Sequence, residues 1–254
     1  METTPALLFK AWKRLVGAYV LSLAVGFLAG VLLVKVGNIQ PERIFQLSTE
    51  RLSYVLPVLD MGSRHGIDKG ILLFFWNTIG ALITMSFIYT AALFDPVHIG
   101  LPPRVVRKIF CGKTRMKILC YLPGCAKIEA ESLRRLSVWV MVPLLSMILL
   151  GIESGLSVST AAFIFGSFYS SFIALLPHGL IEIPTLSLAG AVTYSAHLMV
   201  NKQGPINTTR TVFQQMDVHR NAMPIMRIVL LVIGGLFLAG WVEAHVTLRI
   251  VDSL

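Results

Sequence analysis

Charge is what this chain has least of. Asp, Glu, Lys and Arg make up 14% of its 254 residues, where a soluble domain carries about 25%. So few charges cannot cover a water-facing surface of this size, which excludes a soluble globular enzyme. Disorder is excluded from the other side, because 55% of the residues are hydrophobic and the mean hydropathy is +0.74. Acids are the scarcer sign, 13 against 22 Lys+Arg, for a net charge of +9. In a membrane chain that excess is a topology signal and not a nucleic-acid footprint. Cysteine is scarce too: Cys111, Cys120 and Cys125 fall in one stretch. Three cannot pair completely, so no disulfide framework follows. No paired C-x-x-C or nearby His completes a zinc site, which leaves reduced cytoplasmic thiols. Also missing are H-E-x-x-H, G-x-S-x-G and any other nucleophile–base set. The chain is therefore read as a non-enzyme, with no metal and no cofactor.

What the chain has is long apolar runs. A helix crosses a bilayer with about 20 mostly apolar residues. The first run is 15–36, preceded by Lys10, Lys13 and Arg14 and ending near Lys35, which can snorkel. It is too long for a signal h-region and is read as a retained span. Gly26 and Gly30 give it a small-xxx-small step that admits a close helix neighbour. The second run is 71–94. Residues 136–200 then carry only Glu153 and Glu182 as formal charges, room for about three crossings. Divided at 151–157 and at Pro177-His178-Gly179, the stretch gives spans 136–151, 158–176 and 180–200, the last short enough for one arm to be re-entrant. A final span covers 226–244. The expected fold is an all-α, single-domain transmembrane bundle of about six helices, with one broken or re-entrant helix.

Sidedness follows from the loops. The segment 96–135 holds nine Lys+Arg and two acids, whereas 37–69 holds four of each sign. The first is therefore expected in the cytoplasm with the N-terminus, and the second outside. Six spans put the C-terminus inside as well. They leave 201–223, with three basic residues and one acid, on the outer side, against the rule. If 158–200 crosses only once, that loop moves inside. Segment 41–61 begins with Pro41, suited to a first helical turn. It spaces Ile44, Phe45, Leu52, Val55, Leu56 and Leu59 as a helix lying in the interface or capping the bundle. In the basic segment, Arg104, Arg107, Lys108, Lys113, Arg115 and Lys117 alternate with apolar residues. Its 113–119 piece looks locally like the first helix of a winged helix-turn-helix, but about 30 residues cannot hold that domain. Contact with anionic lipid headgroups is the expected use of this charge, and nucleic acid is not an expected partner.

The informative residues are the polar ones at membrane depth, where an unpaired charge costs several kcal/mol. Leu176-Pro177-His178-Gly179-Leu180-Ile181-Glu182-Ile183-Pro184 sets two prolines and a glycine in an apolar stretch. Pro177, Gly179 and Pro184 are read as a helix break. A helix starting at Pro177 puts His178 and Glu182 four apart on one face. Such a pair can carry a proton, help to hold a metal, or neutralise itself. Asn77 adds an amide in the second span, and Glu243 and Thr247 lie four apart at the end of the last. These five form the candidate intramembrane polar site. A metal would need a further ligand such as His197 or His245, and His197 lies about 28 Å along a helix from His178.

At these residues the chain resembles the stage II sporulation protein M family. Residues 176–184 are similar to its "LPHGxxElpA" signature, followed by Ala189-Gly190-Ala191 as in that family. Val242-Glu243-Ala244-His245-Val246-Thr247 is similar to its C-terminal "fiEafvTp" motif. Phe75-Trp76-Asn77-Thr78 resembles the "NN" motif of its second helix, with one asparagine kept. The chain departs at Thr185, where Ala is common, at Leu248, where Pro follows the Thr, and in the length of its basic loop. The resemblance covers about residues 15–250 and implies a polytopic protein of the cell membrane. In spore-forming bacteria, relatives work in a membrane complex with cell-wall hydrolases during engulfment. Relatives in organisms without spores imply a more general shared activity. The first functional expectation is a non-enzymatic component or scaffold of a membrane complex, with lipids and a protein partner or a second copy as its contacts. The alternative is a transporter or translocase of an ion or a lipid-linked headgroup, using the His–Glu pair.

Overall fold

The computed structural model describes residues 3–50, 56–91, 131–201 and 209–247. They form α1 (Thr4–Lys35), α2 (Pro41–Thr49), α3 (Leu56–Arg64), α4 (Lys69–Thr90), α5 (Glu131–Ile164), α6 (Phe168–Asn201), α7 (Thr209–Asn221) and α8 (Ile225–Val242). A π-helical turn, Glu243–Thr247, ends α8. The expected all-α bundle is present. Four helical stretches are long and apolar enough to cross a membrane: α1, α4, Leu136–Ile164 of α5, and Ile225–Thr247.

The stretch 136–200 is divided differently from the sequence reading. It makes two long helices, with the chain turning once near Gly166 at φ +70°. The expected boundary at 151–157 lies inside α5, and Pro177, Gly179 and Pro184 lie inside α6, which is not interrupted. In an apolar medium every exposed backbone group must find a partner, so a helix that runs through a proline loses less than one that opens. Pro184 is held from outside as well, since the Trp12 indole Nε1–H donates to its carbonyl at 2.9 Å. One residue on, the Thr185 hydroxyl donates to the Ile181 carbonyl at 2.7 Å.

Helix α6 is central, with α1, α4, α5 and α8 all packed against it. Residues 189–198 are buried without exception. That is why the polar residues of this half are tolerated, since it faces protein and not lipid. The tightest contact joins α1 and α5 through glycine. A Cβ on Gly26 would strike the Ile152 backbone, and one on Gly155 would strike the Leu23 carbonyl. Gly151 meets Tyr19 and Ser22, and Gly30 meets Ser159. The Gly26/Gly30 step is thus answered within the chain by Gly151/Gly155. A second close crossing sets Gly70 of α4 on Gly240 of α8.

Contacts fix which helix ends lie together. At one end His219 of α7 reaches Thr4 of α1, His197 of α6 reaches Ser137 of α5, and Trp139 of α5 donates to the Phe87 carbonyl of α4. At the other end Asp68 faces His245, Ser48 of α2 bonds Ser157 of α5, and Phe27 packs on Phe168. Residues 158–200 therefore pass through the bundle once, and α7 lies at the end of the N-terminus. This departs from a six-span count. Thr247 stands at the end opposite Thr4, and Thr209–Asn221 stands at the same end as Thr4. Accessibility reporters at the N-terminus and at Gln214 of α7 are expected on the same side of the membrane, with one at Gly166 on the other. Labelling by an impermeant reagent in intact cells checks this.

Candidate functional site

Three separate pieces of sequence meet near the end of the bundle that carries Asp68 and His245. On α4, the Asn77 amide Nδ2–H donates to Glu182 Oε1 of α6 at 2.8 Å. Glu243, where α8 passes into its π-helical turn, lies near enough for its charge to act on Glu182. The Tyr19 side chain of α1, hydrogen-bonded to Ser154 of α5 and almost wholly buried, also lies within the field of Glu182. All five long helices thus contribute a polar group to one region.

The local structure explains why these residues converge. Asp68 caps α4 by accepting from the Gly70 and Ile71 N–H groups at 2.8 and 3.3 Å, which satisfies two orphan donors of the first turn. The Gly70–Gly240 contact then brings the starts of α4 and the finish of α8 backbone to backbone. Asn77 lies two turns beyond that contact on α4, and Glu243 lies one turn beyond it on α8. Gly235 rests on Thr185 and sets α8 against α6 one turn after Glu182. Exposed Trp76 and Trp241 flank Asn77 and Glu243.

Of the residues expected from sequence, the structure brings together Asn77, Glu182 and Glu243. Thr247 is buried in the same π-helical turn as Glu243. His178 stands one turn before Glu182 on the continuous α6, and its side chain lies outside the described residues. Arg104, Arg107, Lys108, Lys113, Arg115, Lys117 and the three cysteines also lie outside them. Tyr19 and Ser154 were not expected. A hydroxyl within a small-residue step such as Gly151 to Gly155 is the signal that points to Ser154.

Chemically, the cluster consists of two carboxyl groups, an amide and two hydroxyls. It can hold a proton or a cation, or join helices by hydrogen bonds. Among the described residues, no three of His, Cys, Asp and Glu gather to hold a metal. Two Ser–His contacts exist elsewhere, Ser195 with His219 and Ser137 with His197. Both serines are fully buried between helices, and the Ser195 hydroxyl is committed to the Val192 carbonyl. Neither is arranged as a nucleophile open to substrate.

Apolar helices of spanning length around a polar interior cluster define a polytopic integral membrane protein. A model of the family "Stage II sporulation protein M" matches residues 19–248. The chain belongs to that family. No curated protein and no solved structure matches it. The three motifs through which the sequence resembles the family, at 75–78, 176–184 and 242–247, are the three that the fold brings to the polar cluster.

Proposed function

We propose that this protein is a non-enzymatic, structural component of a membrane complex. It sits in the cell membrane with its N-terminus, residues 92–130 and α7 in the cytoplasm. The observation that carries the reading is the Asn77–Glu182 hydrogen bond beside Glu243. Polar groups of two family motifs are bonded to each other across α4 and α6, with Glu243 of the third beside them, and among the described residues no nucleophile is presented to a substrate. The positive-inside rule supports the orientation, because Thr4 and α7 lie at the end where α4 finishes and α5 begins, and the sequence between those two helices is strongly basic. Lipid headgroups are proposed as partners of Arg104, Arg107, Lys108, Lys113, Arg115 and Lys117. A protein partner or a second copy is proposed against the lipid-facing helices.

A transport reading has one observation in its favour: two carboxyl groups, Glu182 and Glu243, in one region of a membrane helix bundle. The motive of half-helix ends is gone, because α6 is continuous. Mild-detergent purification from native membranes, with mass spectrometry of what co-purifies, separates the two. A stoichiometric protein that stays bound in Glu182→Gln is the expected result. Proton or cation flux in liposomes, lost in a Glu182→Gln protein that still folds and assembles, would replace the structural reading with transport.

A further inference from the structure

Away from the polar cluster, α7 closes the N-terminal end of the bundle through one histidine. His219 is buried. Its Nε2 lies 2.9 Å from Ser195 Oγ on α6, and its Nδ1 lies 3.3 Å from Thr4 Oγ1 in the first turn of α1. Ser195 donates its own proton to the Val192 carbonyl at 2.9 Å, so its oxygen accepts and the histidine Nε2 is the donor. A neutral ring then receives the Thr4 hydroxyl at Nδ1. One uncharged side chain thus fastens three helices. Around it, α7 buries Val212, Phe213 and Met216 against the core shared with α4, α5, α6 and α8. The opposite face carries Arg210, Gln214 and Asp217 to the surface.

The charges nearby are engaged elsewhere. On α7, Arg220 pairs with Asp217 at 3.0 Å and lies over the Tyr89 ring of α4. On α6, His197 is turned toward α5, bonded to the Ser137 carbonyl at 3.1 Å and stacked on Tyr194. On α1, Thr4 supplies a hydroxyl. No described carboxylate stands against His219 to stabilise an imidazolium, and burial alone pushes its pKa below the ordinary histidine value.

We propose that α7 is a releasable clamp over this end of the bundle, docked while His219 is uncharged and lifted when it takes up a proton. Release uncovers the apolar face of Val212, Phe213 and Met216 beside the points where residues 92–130 leave α4 and enter α5. The sign follows from linkage. The released ring binds a proton near pH 6.5 and the docked ring only at lower pH. Docking is therefore complete above that value and weakens as pH falls. The docked-to-released ratio drops by up to about tenfold one unit below 6.5 and levels off under the docked value.

The test is amide hydrogen exchange of the full chain in lipid nanodiscs at pH 7.5 and 5.5, with times scaled for the chemical exchange rate. Peptides covering 209–221 are expected to lose up to tenfold protection at pH 5.5 while those from α5 keep theirs. His219→Gln keeps a donor amide without a titrating ring and is expected to show no such difference. Unchanged wild-type protection, or the same loss in His219→Gln, overturns the proposal. Should the variant dock poorly at every pH, the wild-type ring itself decides by NMR titration. A midpoint below 6.5 that coincides with the loss of protection supports the clamp, and a midpoint at or above 6.5 overturns it.

Discussion

Leucine at Gly155 or Gly26 is expected to break the pairing of α1 with α5, while leucine at Gly17 or Gly80 leaves the protein intact. The four glycines have the same composition and opposite surroundings. A Cβ at Gly155 would sit on the Leu23 carbonyl, 2.5 Å from the Phe27 nitrogen and 2.9 Å from the Gly26 carbonyl carbon. At Gly26 it would meet the Ile152 backbone, with the Cα at 2.8 Å. Backbone atoms cannot rotate away, so the two helices must separate. Nothing lies within 4 Å of a Cβ at Gly17 or Gly80. Overpacking costs about 1–3 kcal/mol and occasionally more, and the first two positions belong at the upper end. No hydrophobic force drives helices together inside lipid, so van der Waals contact carries much of the association, and a separation of this kind is not recovered elsewhere. At about 2–4 °C per kcal/mol for a chain of this size, the apparent Tm in detergent should fall by about 5 °C or more. Gly30→Leu should cost less, because the atom in the way belongs to the Ser159 side chain. Equal loss at Gly17 and Gly155 would mean that α1 and α5 do not meet as described.

These positions also show what was legible in the sequence. The Gly26–Gly30 step was visible and its partner was not. Gly151 and Gly155 were read as a boundary because glycine ends helices in water, where a freed backbone is solvated. In a bilayer that penalty for opening the helix is larger than the propensity cost of glycine, so the helix continues and the glycines become contact points. The same physics misled the reading of Pro177 and Pro184. The start of α1 was placed late because Lys10, Lys13 and Arg14 end the apolar run, while Leu7, Ala11 and Leu15 continue the buried face of the helix beneath them. For the site, Asn77, Glu182 and Glu243 were found because polar side chains in apolar runs are conspicuous. That they meet was not visible, since it depends on how the helices pack and are staggered.

Loss of the Asn77 amide is expected to harm the protein more than loss of the Glu182 charge. Asn77→Leu removes the donor at 2.8 Å and leaves a carboxyl group among apolar helices with Glu243 still acting on it. Glu182→Gln keeps an acceptor oxygen for Asn77 and removes an ionisable group buried near Glu243. Hydrogen bonds between membrane helices average about 0.6 kcal/mol and reach about 1.7. A bond that leaves a buried carboxyl group unpaired when its donor is removed belongs at the upper end, so Asn77→Leu should cost about 1–2 kcal/mol in reversible unfolding. Glu182→Gln should cost little or stabilise. In the double variant Asn77→Leu/Glu182→Leu both polar groups are gone, and removing both partners of a buried bond is nearly neutral. The cycle should therefore show a coupling above about 0.5 kcal/mol, the scale expected of residues in contact. Additive effects would mean that the bond does not join α4 to α6. If the coupling is present and Glu182→Gln also retains its partner complex, the carboxyl group serves assembly through the bond it accepts. If the coupling is present but Glu182→Gln abolishes activity at full stability, the bond is a support for a carboxyl group that must titrate, and the structural reading gives way to transport.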